Sequence, residues 1–101
     1  LVLTNGTAIA FDIMVVAQRY GMSAGNEKTA SWNFKGCIIN TTGTTSILGT
    51  IMKTLLGRTD STYDCIVDAL NANNALRIRV QGNGGESIKW FAAVNTTEVL
   101  A

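Results

Sequence analysis

Ala30-Ser31-Trp32-Asn33-Phe34-Lys35 is the stretch that decides the fold. Ala30, Trp32 and Phe34 alternate with Ser31, Asn33 and Lys35, apolar against polar, one residue at a time. Successive side chains of a β-strand point to opposite faces, so a period of two buries one face and wets the other. Gly36 interrupts the pattern before Cys37, Ile38 and Ile39. A glycine inside a strand often marks a bulge, which adds a residue and resets the facing, so a strand running on to Asn40 with a changed register is expected.

The same period extends outward. Ile9, Phe11, Ile13, Val15 and Ala17 alternate with a mixed set, predicting a long strand from about Ala8 to Tyr20. Tyr63, Cys65, Val67 and Ala69 form another strand, and Leu76, Ile78 and Val80 a third. The asparagine turn Asn71-Ala72-Asn73-Asn74 joins these two as a hairpin, since Asn tolerates left-handed backbone. Ile88, Trp90, Ala92 and Val94 make a last strand beyond Gly82-Asn83-Gly84-Gly85, with Thr96 to Ala101 extended after it. Gly21 to Lys28, Asn40 to Thr45 and Arg58 to Thr62 have loop chemistry.

Ser46 to Thr59 conflicts with its surroundings. Ile47, Leu48, Ile51, Met52, Leu55 and Leu56 are spaced 1, 3, 1, 3, 1, a helical pattern. Gly49, the threonine-rich flanks and the strand-forming neighbours favour two short strands or one bent strand instead, because sheet partners are at hand. The expected architecture is all-β: a single antiparallel β-sandwich, jelly-roll-like, of about seven strands. Its inner faces would carry Phe11, Ile13, Val15, Trp32, Phe34, Tyr63, Cys65, Val67, Leu76, Ile78, Val80, Ile88, Trp90, Ala92 and Val94, with both tryptophans largely buried.

Size and composition bound the function. At 101 residues and 10.7 kDa the chain is one domain, residues 1–101. A chain of this mass buries about 65% of its unfolded surface, enough for one core. Hydrophobic residues make 47% and charged residues 15%, the reverse of a disordered tail. The formal charge of +1 disfavours a nucleic-acid binder. No histidine is present, which removes Ser-His and Cys-His nucleophile pairs and His-ligated zinc. No apolar run approaches the roughly 18 residues of a membrane helix, so no membrane insertion is expected. Leu1 at the start marks a processed product or a piece of a longer chain.

Polar constellations are few. Cys37 and Cys65 are the only cysteines; a disulfide or redox pair is one reading and two small buried apolar residues the preferred one. Asp64 and Asp68 would point outward about 13 Å apart, too far to share an ion, so no metal is expected. Arg77 and Arg79 share an outward face, available to an anion or to neighbouring acids. Asn5, Asn40 and Asn95 each head an Asn-x-Thr sequon. No catalytic or cofactor-binding residue stands out, so neither an enzyme nor a cofactor is expected.

Apolar residues on the outward parity are more informative. Met14, Val16, Ile39, Ile66, Leu70, Phe91 and Ala93 fall on faces a lone sandwich would leave wet. A contiguous apolar patch implies a partner, most simply another copy of the chain. Met14, Val16, Phe91 and Ala93 are the candidate oligomer interface. Tyr20, an aromatic beside a loop, is the candidate glycan contact, since sugar rings stack on flat apolar faces.

Three segments together resemble a known family: Ala30-Ser31-Trp32-Asn33-Phe34-Lys35-Gly36-Cys37-Ile38, Thr44-Thr45-Ser46-Ile47-Leu48-Gly49-Thr50 and Asn71 to Gly82. Ile88-Lys89-Trp90-Phe91-Ala92-Ala93-Val94 and Thr96-Thr97-Glu98-Val99 follow. This order is similar to a small all-β domain near the C-termini of tailed-bacteriophage tail fibres and tailspikes, and covers about Phe11 to Val99. The chain departs from that pattern at Tyr63, where the family often has Trp, and in having Cys37 and Cys65. The resemblance implies a virion appendage module, usually a homotrimer, that trimerises the fibre, presents host-receptor contacts, or both. It carries over no binding residues. A carbohydrate-binding module contacting a host cell-surface glycan and a capsid or decoration protein are the alternatives.

Overall fold

The computed structural model describes residues 3–19, 28–59, 61–82 and 87–99. Six strands form: β1 (Thr7–Arg19), β2 (Thr29–Thr41), β3 (Thr44–Arg58), β4 (Asp64–Leu70), β5 (Ala75–Gln81) and β6 (Ile88–Val99). The fold is all-β, and every strand pairing is antiparallel. Four strands make one sheet in the order β3-β2-β1-β6, and β4 and β5 make a separate hairpin. Three consecutive strands with a fourth returning beside the first is a Greek key, and the β4–β5 hairpin lies within the long return. The hairpin packs over one face of the sheet, chiefly against β3 and β2. About seven strands were expected; six form among the described residues because Thr44–Arg58 is one bent strand.

Two short connections follow from local chemistry. Only Thr42 and Gly43 separate β2 from β3, with φ of 51° and 83°. Positive φ at both central residues is the two-residue hairpin turn whose twist matches its strands. Asn71–Asn73 form a 3₁₀ turn between β4 and β5, closed by left-handed Asn74 at φ 51°.

The core lies between the two layers. Ile9, Phe11, Ile13, Val15 and Ala17 of β1 and Ala30, Trp32, Phe34 and Ile38 of β2 meet Cys65, Val67 and Leu76 of the hairpin, all buried, with Tyr63 just before β4. Asparagines fasten one end of the hairpin to the sheet. The Thr45 amide donates to Asn71 Oδ1 at 2.8 Å, the Leu3 amide to the Asn74 carbonyl at 2.6 Å, and Asn40 Nδ2 to the Leu3 carbonyl at 2.9 Å. Near its other end Lys53 Nζ donates to Asp64 Oδ1 at 2.8 Å, and Arg58 to the Tyr63 carbonyl at 3.1 Å.

Several expectations need correction. Gly36 does not reset the facing of β2: Ala30, Trp32, Phe34, Ile38 and Asn40 all point inward, and the strand runs to Thr41. The irregularities fall on β3, where Leu48 is opposite Cys37 and Met52 opposite Lys35, so three β3 residues face Gly36 alone. Gly36 instead makes room for a ring. It pairs with Phe11, and a Cβ there would lie 2.8 Å from Phe11 Cζ. Trp90 is half-buried rather than buried, its ring stacked on that of Trp32 with centroids 5.9 Å apart. Val80, Ala92 and Val94 lie on inward parities yet are exposed, because neither layer extends over them. Ile39 and Leu70, expected on wet faces, are half-buried.

The apolar doublets of β3 also find their cause. Ile47 and Leu55 are opposite the inward Ile38 and Trp32, whereas Leu48 and Met52 are opposite the outward Cys37 and Lys35. A strand apolar on both faces, with two extra residues between its doublets, imitates helical spacing.

Candidate interaction face

Twelve consecutive pairs hold β6 against β1 with no slip, from Ala8 opposite Val99 to Arg19 opposite Ile88. Within that ladder Met14 is opposite Ala93 and Val16 opposite Phe91. Directly opposed residues share a face, so the four candidate interface residues form a block two strands wide on the face turned away from the hairpin. Adjacent strands lie about 4.8 Å apart and alternate residues about 7 Å, so the four side chains are mutual neighbours. Met14, Val16 and Phe91 are 46%, 45% and 70% exposed.

Polar residues bound the block. The next row along the strands is Asn95, Asp12 and Lys35. Asn33, opposite Met14 on β2, donates through Nδ2 to Asp12 Oδ1 at 2.7 Å and lies 3.5 Å from Met14 Sδ. Beyond this row the face becomes apolar again on β3, with Leu48 58% and Met52 67% exposed. The sequence reading missed Leu48 and Met52, which share the outward parity of Thr44 and Ser46 because the two extra residues of β3 leave its facing unchanged.

The hairpin's outer face carries exposed Ile66 among charged residues that satisfy one another. Asp68 accepts from Arg77 at 2.9 and 3.0 Å and from Arg79 at 2.7 Å. Arg77 and Arg79 thus share an acid on their own hairpin. The Arg77 hydrogen bonds hold the Asp68 carboxyl below the usual carboxylate range, against a smaller opposing effect of burial. The Lys53 ammonium does the same for Asp64. These two acids face outward, Asp64 paired with Lys53 and Asp68 with both Arg77 and Arg79. A shallow depression of about 250 Å³ beside Asp64 is lined by Asp64, Ile66, Arg79, Val80 and Gln81. Its acid and its guanidinium are already engaged elsewhere, so it offers no uncommitted charge.

The two cysteines are free thiols. Cys65 is buried between the layers, and burial pushes its thiol up to about 11. Cys37 is half-buried on the opposite face of the sheet, across from Ala10. Among the sequons, Asn40 is buried at the hairpin end of the core, whereas Asn5 and Asn95 are exposed. Tyr20, the candidate glycan contact, lies outside the described residues. Among the described residues no three His, Cys, Asp or Glu side chains gather as metal ligands would. No protein-family model, no curated protein and no solved structure matches this chain.

Proposed function

We propose that the chain is a structural and interaction module of a bacteriophage virion appendage, a tail fibre or tailspike, and that it works by associating with copies of itself. The observation that supports this is the block of Met14, Val16, Phe91 and Ala93, contiguous and exposed on one sheet face. Covering it removes apolar surface from water at roughly 25 cal/mol per Å². The appendage setting and a threefold stoichiometry come from the resemblance of the sequence.

The shape of one copy agrees with self-association. Its radius of gyration is 15.5 Å over a body of 52 × 22 × 18 Å, where a compact domain of this length has about 12.7 Å. Its accessible surface is 5966 Å², against about 5,500 Å² for a self-contained domain of this mass. Three narrow bodies side by side make a fibre segment, and identical contacts around a threefold axis leave no open adhesive surface.

Light scattering at micromolar concentration tests the proposal. The expected mass is three chains for the wild type and one chain for Phe91→Asp, with an unchanged far-UV circular dichroism spectrum. A wild type of one-chain mass overturns self-association. The sequence preceding Leu1 in the full-length gene product tests the setting: a long fibrous or β-helical repeat supports an appendage, and an unrelated enzyme domain opposes it.

A further inference from the structure

Among the described residues neither edge of the four-stranded sheet has a strand partner, and the two differ in kind: β6 is bare, whereas β3 meets the hairpin through Thr45, Lys53 and Arg58. β6 pairs with β1 along twelve residues without a slip, and nothing among the described residues pairs with its other side. From Phe91 to Glu98 its side chains are exposed on both faces, with Phe91 and Ala93 on one and Ala92 and Val94 on the other. An edge strand this long and regular, lacking proline and bulges, is a template for another strand. At the other edge, β3 exposes Leu48, Met52, Leu55 and Leu56, also on both faces.

We infer that β6 receives the β3 edge of a neighbouring copy, so that the sheets of the assembly join edge to edge into a closed ring. This rests on the self-association reading and names the contact that makes it. Three features of the chain support it over β6 pairing with β6. Strands alternate in direction across the order β3-β2-β1-β6, so the two edges run antiparallel to each other. Rotation about an axis along the strands therefore seats β6 beside the next copy's β3 as an antiparallel pair, and the same junction repeats until the ring closes. The junction gives the exposed apolar residues of both edges apolar cross-strand neighbours, whereas β6 self-pairing leaves those of β3 without any. An inward lysine normally guards an edge, but Lys53 is held by Asp64 at 2.8 Å.

A mixing experiment separates this junction from its rivals. Val94→Lys places an unpaired inward charge on β6, and Leu55→Lys does so on β3. In a ring of β6-to-β3 junctions every contact within either variant has one damaged edge, so each alone has one-chain mass. Mixed one to one, they form a two-chain species, because the intact β3 of the first meets the intact β6 of the second. Leu55→Lys assembling like the wild type, with no rescue on mixing, overturns the ring while leaving self-association standing. A one-chain wild type overturns both. Hydrogen exchange of the wild type needs no variant and covers the case of one that fails to fold. The junction protects the backbone amides of Phe91 to Glu98 on both sides of β6, and fast exchange at every second amide of that stretch overturns it.

Discussion

β1 and β6 are hydrogen-bonded neighbours of nearly equal length, and they end in opposite environments. The inward residues of β1, from Ile9 through Ala17, are all 3% exposed or less. Those of β6 are half-buried at Ile88 and Trp90 and exposed from Ala92 onward. The two strands have the same alternating pattern in the sequence. What separates them is position: β1 has strands on both sides and the hairpin above, and β6 has one neighbour and no cover beyond Trp90. Patterning chooses a face; the topology decides whether anything lies over it.

Substitutions along the two strands and their neighbours sharpen that contrast. The largest difference is expected between the stacked tryptophans. Trp32→Ala empties a fully buried site and should cost on the order of 3–5 kcal/mol in urea unfolding. Trp90→Ala, at the half-covered partner, should cost less than half of that; equal losses would show that β6 is covered after all. Ile13→Ala, at the centre of β1, should cost about 2–5 kcal/mol. Val94→Ala, its direct partner across the ladder, should stay within about 0.5 kcal/mol in dilute solution, where a lone chain leaves it wet. A Val94→Ala loss that grows with protein concentration would locate that residue in an interface.

Gly36→Ala follows in size. Its methyl would press on the Phe11 ring, an overpacking cost of about 1–3 kcal/mol. Adding Phe11→Leu to the same chain should recover part of the loss, because the clash is with the ring's far edge. If Gly36→Ala costs as much in the Phe11→Leu background as in the wild type, Gly36 is a backbone requirement instead. The smallest effect is electrostatic. The Asp68 and Asp64 carboxyls are held below their usual range, so their pairing contributes stability above the unfolded value of about 3.9. That contribution is lost as pH falls through the lowered folded values. Asp68→Asn should therefore lower the thermal midpoint slightly at pH 7 and flatten its decline below about pH 4. An unchanged acid profile would show that the Arg77 pairing carries no stability.

Much of the fold was legible because strands buried on one face write their period into the sequence, as Ala30 to Lys35 does. The exposed facing of Met14, Val16, Phe91 and Ala93 was legible for the same reason, these residues being apolar where the period calls for polar. Other features were not. Parity says which way Ala92 and Val94 point but carries no information on how far the hairpin reaches. Leu48 and Met52 share an outward parity, but the apolar doublets of β3 put large residues on both parities, so neither face stands out in the sequence. Gly36 was misread because a glycine that yields space to a cross-strand ring and one that starts a bulge are the same letter.

The Greek-key return sets a timetable. Among the described residues β6 is the last strand in chain order, yet its place is beside β1, the first. While a ribosome makes the protein, β1 can pair with β2 and the hairpin can close over the nascent core, but one side of β1 stays open until β6 emerges. Contacts between the two ends of a chain are slow to form, and an unpaired edge is open to the wrong strand meanwhile. On a polysome, where several nascent copies sit close together, the β6 of one chain and the β6 of its neighbour are competitors for the same β1. Faithful assembly then depends on each chain capturing its own β6 before it meets the next.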